Sequence, residues 1–184
     1  MKKLILTAAF GVLCASAFAQ GALNFANGAA GVNAIITDAD GTTKISGGTW
    51  AADLWWAAGT VTDSSVLTAL GAPATFSTTA PGYFFGGSRT IPGQGNGAVI
   101  TGQVRVWDTA NGASWVNASG VNGAHIGESV LFQVTLTTPP TTPAALTGLN
   151  GHPFSLTVVG IPEPSSLALA GLGLAGLFVI RRRK

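Results

Sequence analysis

Residues 98–108 read Ala-Val-Ile-Thr-Gly-Gln-Val-Arg-Val-Trp-Asp and carry the clearest β-strand pattern in the chain. Apolar or small residues alternate with larger polar or aromatic ones, and a period of two residues is typical of a strand with two different faces. Residues 50–58 carry a second such pattern, one face of which is wholly apolar. We expect two strands, and we expect the apolar face of residues 50–58 to look into the core. That face consists of Trp50, Ala52, Leu54 and Trp56.

Shorter strand patterns lie on either side, separated by turns rich in Gly, Asn, Asp and Pro. Residues 64–70 fit one helical turn or a strand, and residues 111–128 fit a long loop or a short helix. Residues 92–97 are predicted to be the loop of a hairpin that joins the segment ending at residue 91 to the strand 98–108. Many short strands and almost no amphipathic helix predict an all-β fold, an antiparallel β-sandwich or jelly-roll-like single domain. The shorter strand candidates are residues 22–26, 32–37, 74–77, 83–85, 89–91, 129–137 and 154–159.

The charges of the chain are concentrated at its two ends. The formal net charge is +2, but six of the nine basic residues lie in the first three and the last four positions. Residues 20–160 hold three basic and six acidic side chains, which gives a net charge of −3 and argues against nucleic-acid binding through a basic patch. Cys14 is the only cysteine. Residues 20–160 therefore contain no disulfide, thiol nucleophile or cysteine metal ligand.

Residues 1–19 have the three parts of a secretory signal peptide. Lys2-Lys3 gives a basic start, an apolar run follows, and Ala17-Phe18-Ala19 places small residues at Ala17 and Ala19, as signal peptidase requires. We expect cleavage between Ala19 and Gln20 after passage through the secretion translocon.

The end of the chain combines a proline-rich start, an apolar run and a basic end. As a helix, residues 167–180 would rise about 21 Å, and the adjoining residues bring the span close to the ~30 Å of a hydrocarbon core. We predict a single transmembrane helix over residues 166–180, with the basic end in the cytoplasm. The motif before the run is Pro162, Glu163, Pro164 and Ser165, and the basic end is Arg181, Arg182, Arg183 and Lys184.

These three parts in this order resemble the PEP-CTERM sorting signal of Gram-negative surface proteins. The resemblance implies that exosortase, a membrane-embedded cysteine protease, recognises the motif, cleaves near it and passes the protein to the envelope or the outside. The alternative is a plain single-span anchor. The division of the chain is then a signal peptide over 1–19, an exported domain over 20–160 with a Thr/Pro-rich connector at 138–152, and the sorting signal over 161–184.

The exported domain is similar to ectodomains that recur, without assigned activity, in front of this signal. The similarity rests on a strand that ends in Val-Arg-Val-Trp-Asp at residues 104–108 and on Gly-Gly-Ser-Arg-Thr-Ile-Pro at residues 86–92. This similarity implies no function.

Trp55 and Trp107 fall on the polar faces of their strands, where an exposed ring can stack on a sugar. The competing interpretation buries both faces, one under a second sheet and one under loops. Asp38 and Asp40, followed by Gly41, fit either the start of a calcium loop or an Asx-type turn. Gly171–Gly176 fits a nucleotide-binding glycine pattern but lacks the surrounding βαβ unit.

A hydrolase needs an acid and a base that meet in one cleft. The candidates are Asp53, Asp108, His125 and Glu128, which are scattered along the chain, and Asp53 is also placed to pair with Arg105 or Lys44. No catalytic motif is present. We therefore predict that the protein is not an enzyme and uses no cofactor or metal.

The function predicted from these features is that of an exported surface or extracellular-matrix protein with a structural or adhesive role in the envelope, biofilm or exopolysaccharide. The first alternative is a carbohydrate-binding module that uses exposed tryptophans, and the second is a secreted hydrolase. The partners implied are exosortase, the translocon, the membrane before processing, and exopolysaccharide.

Overall fold

The computed structural model describes residues 20–160. The predicted signal peptide, the sorting motif, the helix predicted over 166–180 and the basic end therefore lie outside the described residues. Gln20 lies inside them and is exposed. Within residues 20–160, none of the helices has the length and apolarity needed to cross a membrane.

Two long antiparallel strands form the centre of the fold. β3 (Gly47–Ala58) pairs with β7 (Val99–Asp108) over nine consecutive positions, from Trp50 opposite Asp108 to Ala58 opposite Ile100. Both strands have the two-residue alternation that the sequence shows, so one apolar face of the pair can be buried along its whole length.

The central pair is extended on both sides into a main sheet of seven strands. The added strands are β4 (Thr68–Ala69), β5 (Ala74–Phe76), β8 (His125–Glu128), β9 (Phe132–Thr135) and β12 (Thr157–Val158). The strand order is β12, β8, β7, β3 and β4, β5 adds to the start of β3, and β9 pairs with the start of β7.

A smaller sheet lies across the core from the main one. β1 (Ala22–Ala26) lies between β10 (Ala144–Ala145) and β6 (Phe85–Thr90), and β2 (Ile36–Thr37) pairs separately with β11 (Phe154–Ser155). Phe25 of β1 packs on Phe84 with ring centroids 4.6 Å apart, and both rings are fully buried. The core joins both sheets and includes Leu23, Phe25, Ala52, Leu54, Phe84, Ile100, Val104, Val106, Phe132 and Leu156.

The prediction of a mostly β domain is confirmed, and the expected inward face of β3 is confirmed as well. Ala52 and Leu54 are fully buried, and Trp50 and Trp56 pack against the core. The description of the fold as antiparallel needs correction, because β1 pairs with β10, and β2 with β11, in parallel.

The hairpin predicted between residue 91 and β7 is wrong. β6 pairs with β1 in the smaller sheet, so residues 92–97 cross from one sheet to the other. The physical reason is that β3 offers β7 nine matched positions on two faces, whereas β6 contains Gly86 and Gly87 and has little side chain to pack.

The ambiguous stretches resolve into short elements. Residues 64–70 contain both alternatives, a 3-10 turn at Ser64–Val66 capped by Asp63 and then β4. Residues 111–128 contain the short helix α1 (Trp115–Ser119), capped by Ser114, and then β8. The strand predicted over 154–159 is split because Leu156 turns into the core between β11 and β12. Within residues 129–137 the strand is limited to β9, and at Ser129 the side-chain hydroxyl accepts the Val104 N–H.

One buried polar side chain ties together three segments. Asn27 is fully buried; its amide donates to the carbonyls of Ala34 and Gly82 at 2.7 and 2.9 Å, and its Oδ1 accepts the Phe84 N–H at 2.7 Å. Gly82 O also accepts the Ile36 N–H, but without this side chain Ala34 O and the Phe84 N–H would lack a partner, so Asn27 fixes how these loops approach β1.

Candidate functional site

The face of the β3–β7 pair that points away from the core is covered by loops. The 3-10 turn and the residues before it lie across this face, where the Thr101 hydroxyl donates to Gly59 O and accepts the Val61 N–H. Helix α1 covers the other end, where Ala118 packs on Trp107. The interpretation that covers both faces therefore agrees with the structure at Trp107, whereas Trp55 stays partly exposed.

Arg105 lies on this covered face between two tryptophan rings. Its Cζ is 3.9 Å from the ring centroid of Trp55 on β3 and 4.4 Å from that of Trp115 on α1. The two indoles meet edge to face, with centroids 5.9 Å apart. A guanidinium over indole faces is favourable, and more so when water is excluded; Arg105 is only 7% exposed.

Polar groups complete the surroundings of the guanidinium. Nε donates to Gln103 Oε1 at 3.0 Å and lies 3.5 Å from Glu128 Oε1, and Nη2 donates to Ser64 O at 3.3 Å. Burial lowers the pKa of Arg105, and the Glu128 carboxylate opposes this shift. We call Trp55, Gln103, Arg105, Trp115 and Glu128 the arginine cluster. Arginine keeps its charge in proteins, so the cluster contains a partly buried ion pair of Arg105 and Glu128 whose guanidinium lies between two indole rings.

Asp53 does not form the ion pair expected for it, although it is the register partner of Arg105. Its Oδ1 accepts the Leu54 N–H at 2.9 Å and its Oδ2 accepts the Gly71 N–H at 3.1 Å. Burial raises the pKa of Asp53, and these N–H groups oppose the shift. Among residues 20–160 it has no ion pair with Arg105 or Lys44.

His125 lies on the opposite face of the sheet. Its Nδ1 is 2.5 Å from Asp38 Oδ1, and its ring packs on Trp50 with centroids 5.9 Å apart. The backbone N–H of His125 donates to Asp108 Oδ2 at 2.8 Å. His125 and Glu128 are three residues apart on a strand, so they point to opposite faces. The four hydrolase candidates therefore lie on two faces of the sheet. Asp108 and His125 are on one face, and Asp53 and Glu128 are on the other, in register with Arg105.

Asp108 accepts hydrogen bonds in the turn after β7, and we expect its ionisation to make the free energy of unfolding depend on pH. Burial raises the pKa of Asp108, but N–H groups from His125 and Asn111 outweigh it and hold the pKa below its usual range. Because the folded pKa is below the unfolded one, the stabilisation is present above about pH 4 and is lost as pH falls through the folded pKa. In urea unfolding at pH 2–5, the stability difference between wild type and D108N is expected to shrink as pH falls. A difference independent of pH would contradict this.

The structure separates the two tryptophans suggested for sugar stacking. Trp107 is 2% exposed, its indole N–H donates to Gly112 O at 3.0 Å, and it packs among Ala51, Ala118 and Ala124. A buried ring has no face for a sugar, so the proposal for Trp107 does not agree with this structure. Trp55 is partly exposed, and Arg105 lies over its ring.

The Asp38–Gly41 segment has the geometry of an Asx-type turn. Asp40 Oδ1 accepts the N–H groups of Thr42 and Thr43, and Oδ2 accepts the Thr43 hydroxyl. These bonds lower the pKa of Asp40 to about 2. No group of three or more His, Cys, Asp or Glu side chains within 20–160 is placed to hold a metal ion.

An open groove of about 700 Å³ lies at the start of β7, and the sequence analysis did not find it. Its polar lining is Thr60, Thr62, Thr101, Gln133 and Thr147, which come from four separate segments. Only the register of β7 with β9 and the path of the loop after β3 bring them together, so no local pattern marks it.

The described domain ends at Gly160, where the tail begins. The fold defines a mostly β domain that directly precedes this tail in the sequence. A family comparison matches residues 160–184 to the PEP-CTERM protein-sorting motif. The chain therefore contains a PEP-CTERM sorting domain, which implies an exported, envelope-directed protein processed by exosortase. No curated protein and no solved structure matches the chain.

Proposed function

We propose that the domain over 20–160 is a structural or adhesive component of the envelope, biofilm matrix or exopolysaccharide, without catalytic activity. The observation that carries this proposal is the sorting motif joined to a domain whose ionisable and aromatic groups are used in its own packing. The chain is anchored in the inner membrane by its tail before processing and is then released to the outer surface or the medium.

The burial of the charged residues supports this role. Asp53, Arg105 and Asp108 are 5%, 7% and 9% exposed, and each makes hydrogen bonds inside the domain. Groups held in this way are not placed to bind and transform a substrate. The exposed surface is mostly Thr, Ser, Asn and Gly, which suits contact with hydrated polymer.

Carbohydrate binding is the second candidate, and the groove favours it. Thr101 pairs with Ala57, two positions from the pair of Trp55 and Gln103, so the groove and Trp55 share one face of the main sheet. Hydroxyl and amide groups beside a partly exposed indole are suited to a sugar.

Intact mass of the protein recovered from cell surface and medium tests the sorting part. The expected mass lacks residues 1–19 and the residues after about Glu163, and excess mass would reveal a glycan or lipid. A mass that still includes Arg181–Lys184 would show that the tail is only an anchor.

Co-sedimentation of the mature protein with exopolysaccharide from the producing cells separates the two roles. W55A is compared with F85A, since Phe85 is 52% exposed on the smaller sheet. A structural or adhesive role predicts the same sedimentation for both variants. Loss in W55A alone, with an unchanged far-ultraviolet circular dichroism spectrum, would favour the carbohydrate-binding module.

A further inference from the structure

The hydrogen-bonded part of the domain extends to Val159, and the matched sorting sequence begins at the next residue. Val159 N–H donates to Ala124 O at 2.8 Å, and Val159 O accepts the Gly123 N–H at 3.0 Å. Only Gly160 separates this last hydrogen-bonded residue from Ile161 and the motif that begins at Pro162. No linker therefore lies between the sheet and the sequence that the processing enzyme reads.

Proteases act on locally opened chain, and cleavage inside folded structure follows the population of the open form. A cut near Pro162–Ser165 requires the residues just before it to enter the enzyme in extended form. Here those residues belong to β12, which pairs with β8 through Thr157 opposite Ile126 and Val158 opposite His125.

The exposure of β12 and the burial of the residue before it indicate how many residues can detach from the sheet. It is a two-residue strand at the edge of the main sheet, with Thr157 and Val158 both exposed. Leu156 is 2% exposed and packs directly on Gly127, so it anchors the chain at the other side. Detachment up to Leu156 frees residues 157–160, about 14 Å of extended chain at ~3.4 Å per residue.

From this geometry we propose that β12 is released from β8 during processing and that residues 157–160 are the upstream segment bound by the sorting enzyme. The inference rests on processing at the sorting motif. The stability of this sheet edge then sets the rate at which the precursor matures, and Leu156 marks where opening stops.

A disulfide between β12 and β8 tests the proposal. Val159 bonds to Ala124, so Val158 and His125 form the adjacent non-hydrogen-bonded pair, in which side chains are closest and suited to a disulfide. Residues 20–160 contain no native cysteine that would mispair. The V158C/H125C precursor is isolated in membranes that contain the enzyme, and its maturation is followed with and without reductant.

The oxidised form is expected to mature at least about tenfold more slowly than its own reduced form, because the open state is blocked. Equal rates would overturn the proposal. The reduced form controls for the loss of the His125 contacts, and wild type with and without reductant controls for an effect on the enzyme.

A flexible linker of three Gly-Ser pairs inserted after Gly160 is the second test. It is expected to restore maturation of the oxidised form and to speed that of wild type, since it supplies open chain upstream of the motif. The proposal would be overturned if the linker neither restored maturation of the oxidised form nor sped maturation of wild type. Normal maturation of a chain with alanines at Pro162–Pro164 is a separate result, which would count against sorting through the motif and not against the opening of β12.

Discussion

Alanine in place of Pro162, Glu163 and Pro164 is expected to leave the full precursor in the inner membrane and to reduce the mature form by at least about tenfold. Proline fixes φ near −65° and donates no hydrogen bond, so the native motif resists helix formation. Alanine is the best helix former, and three alanines would let the apolar run continue as helix towards the domain. The variant therefore removes the conformational restriction of the two prolines and the acidic side chain of the motif.

The measurement is intact mass and immunoblotting of inner-membrane, surface and medium fractions. A matched control places alanine at Thr141 and Thr142, two exposed positions of the connector that lie far from the motif in sequence. The control is expected to mature as wild type does. If the motif variant also matures normally, recognition does not depend on Pro162–Pro164.

Arg105→Ala is expected to destabilise the domain by about 2–3 kcal/mol, because the buried Gln103 amide loses a charged hydrogen-bond partner and the cation no longer lies over two indole rings. The change removes the donor to Gln103 Oε1 and the cation beside Glu128, which keeps the hydrogen bond from Gln103 Nε2. It also opens a gap between the Trp55 and Trp115 rings. Arg105→Lys keeps the charge but loses the planar group that lies over both indoles, so an intermediate loss is expected.

Urea unfolding of the mature protein, followed by tryptophan fluorescence, measures these differences. Arg89→Ala is the matched control, because the hydrogen bonds of Arg89 within residues 20–160 go to two backbone carbonyls at 3.3 and 3.4 Å, and no ring lies over its guanidinium there. Its loss is expected to be about 1 kcal/mol or less. An R105A loss no larger than that of R89A would show that the cluster contributes little to stability.

The long strands could be predicted because their evidence is local. Residues 50–58 and 98–108 alternate strictly, and β1 occupies the predicted residues 22–26. Strand partners could not be predicted, because pairing depends on which two faces match across the whole domain. The sequence therefore placed β7 beside β6, whereas β7 lies beside β3.

The arginine cluster was only partly visible in the sequence. Arg105 and Trp55 were on the right face, but Trp115 lies in a stretch without periodicity, and only the packing of α1 brings its ring to the guanidinium. Asn27 was missed for another reason. It precedes Gly28, and an Asn-Gly pair is typical of an exposed turn, so nothing local indicates that its amide lies inside the domain.

The two parallel strand pairs determine when the domain can fold. β1 needs β10 and β2 needs β11, and in the latter pair Thr37 and Ser155 share a hydrogen bond across 118 positions of sequence. Contacts so distant in sequence slow folding, because the loop must close before the contact contributes. As the N-terminal end is exported first, β1 and β2 wait without these partners until nearly the whole domain has crossed the membrane. The tail follows directly in the sequence, so these parallel pairs can form only when the sorting sequence is itself about to reach the membrane.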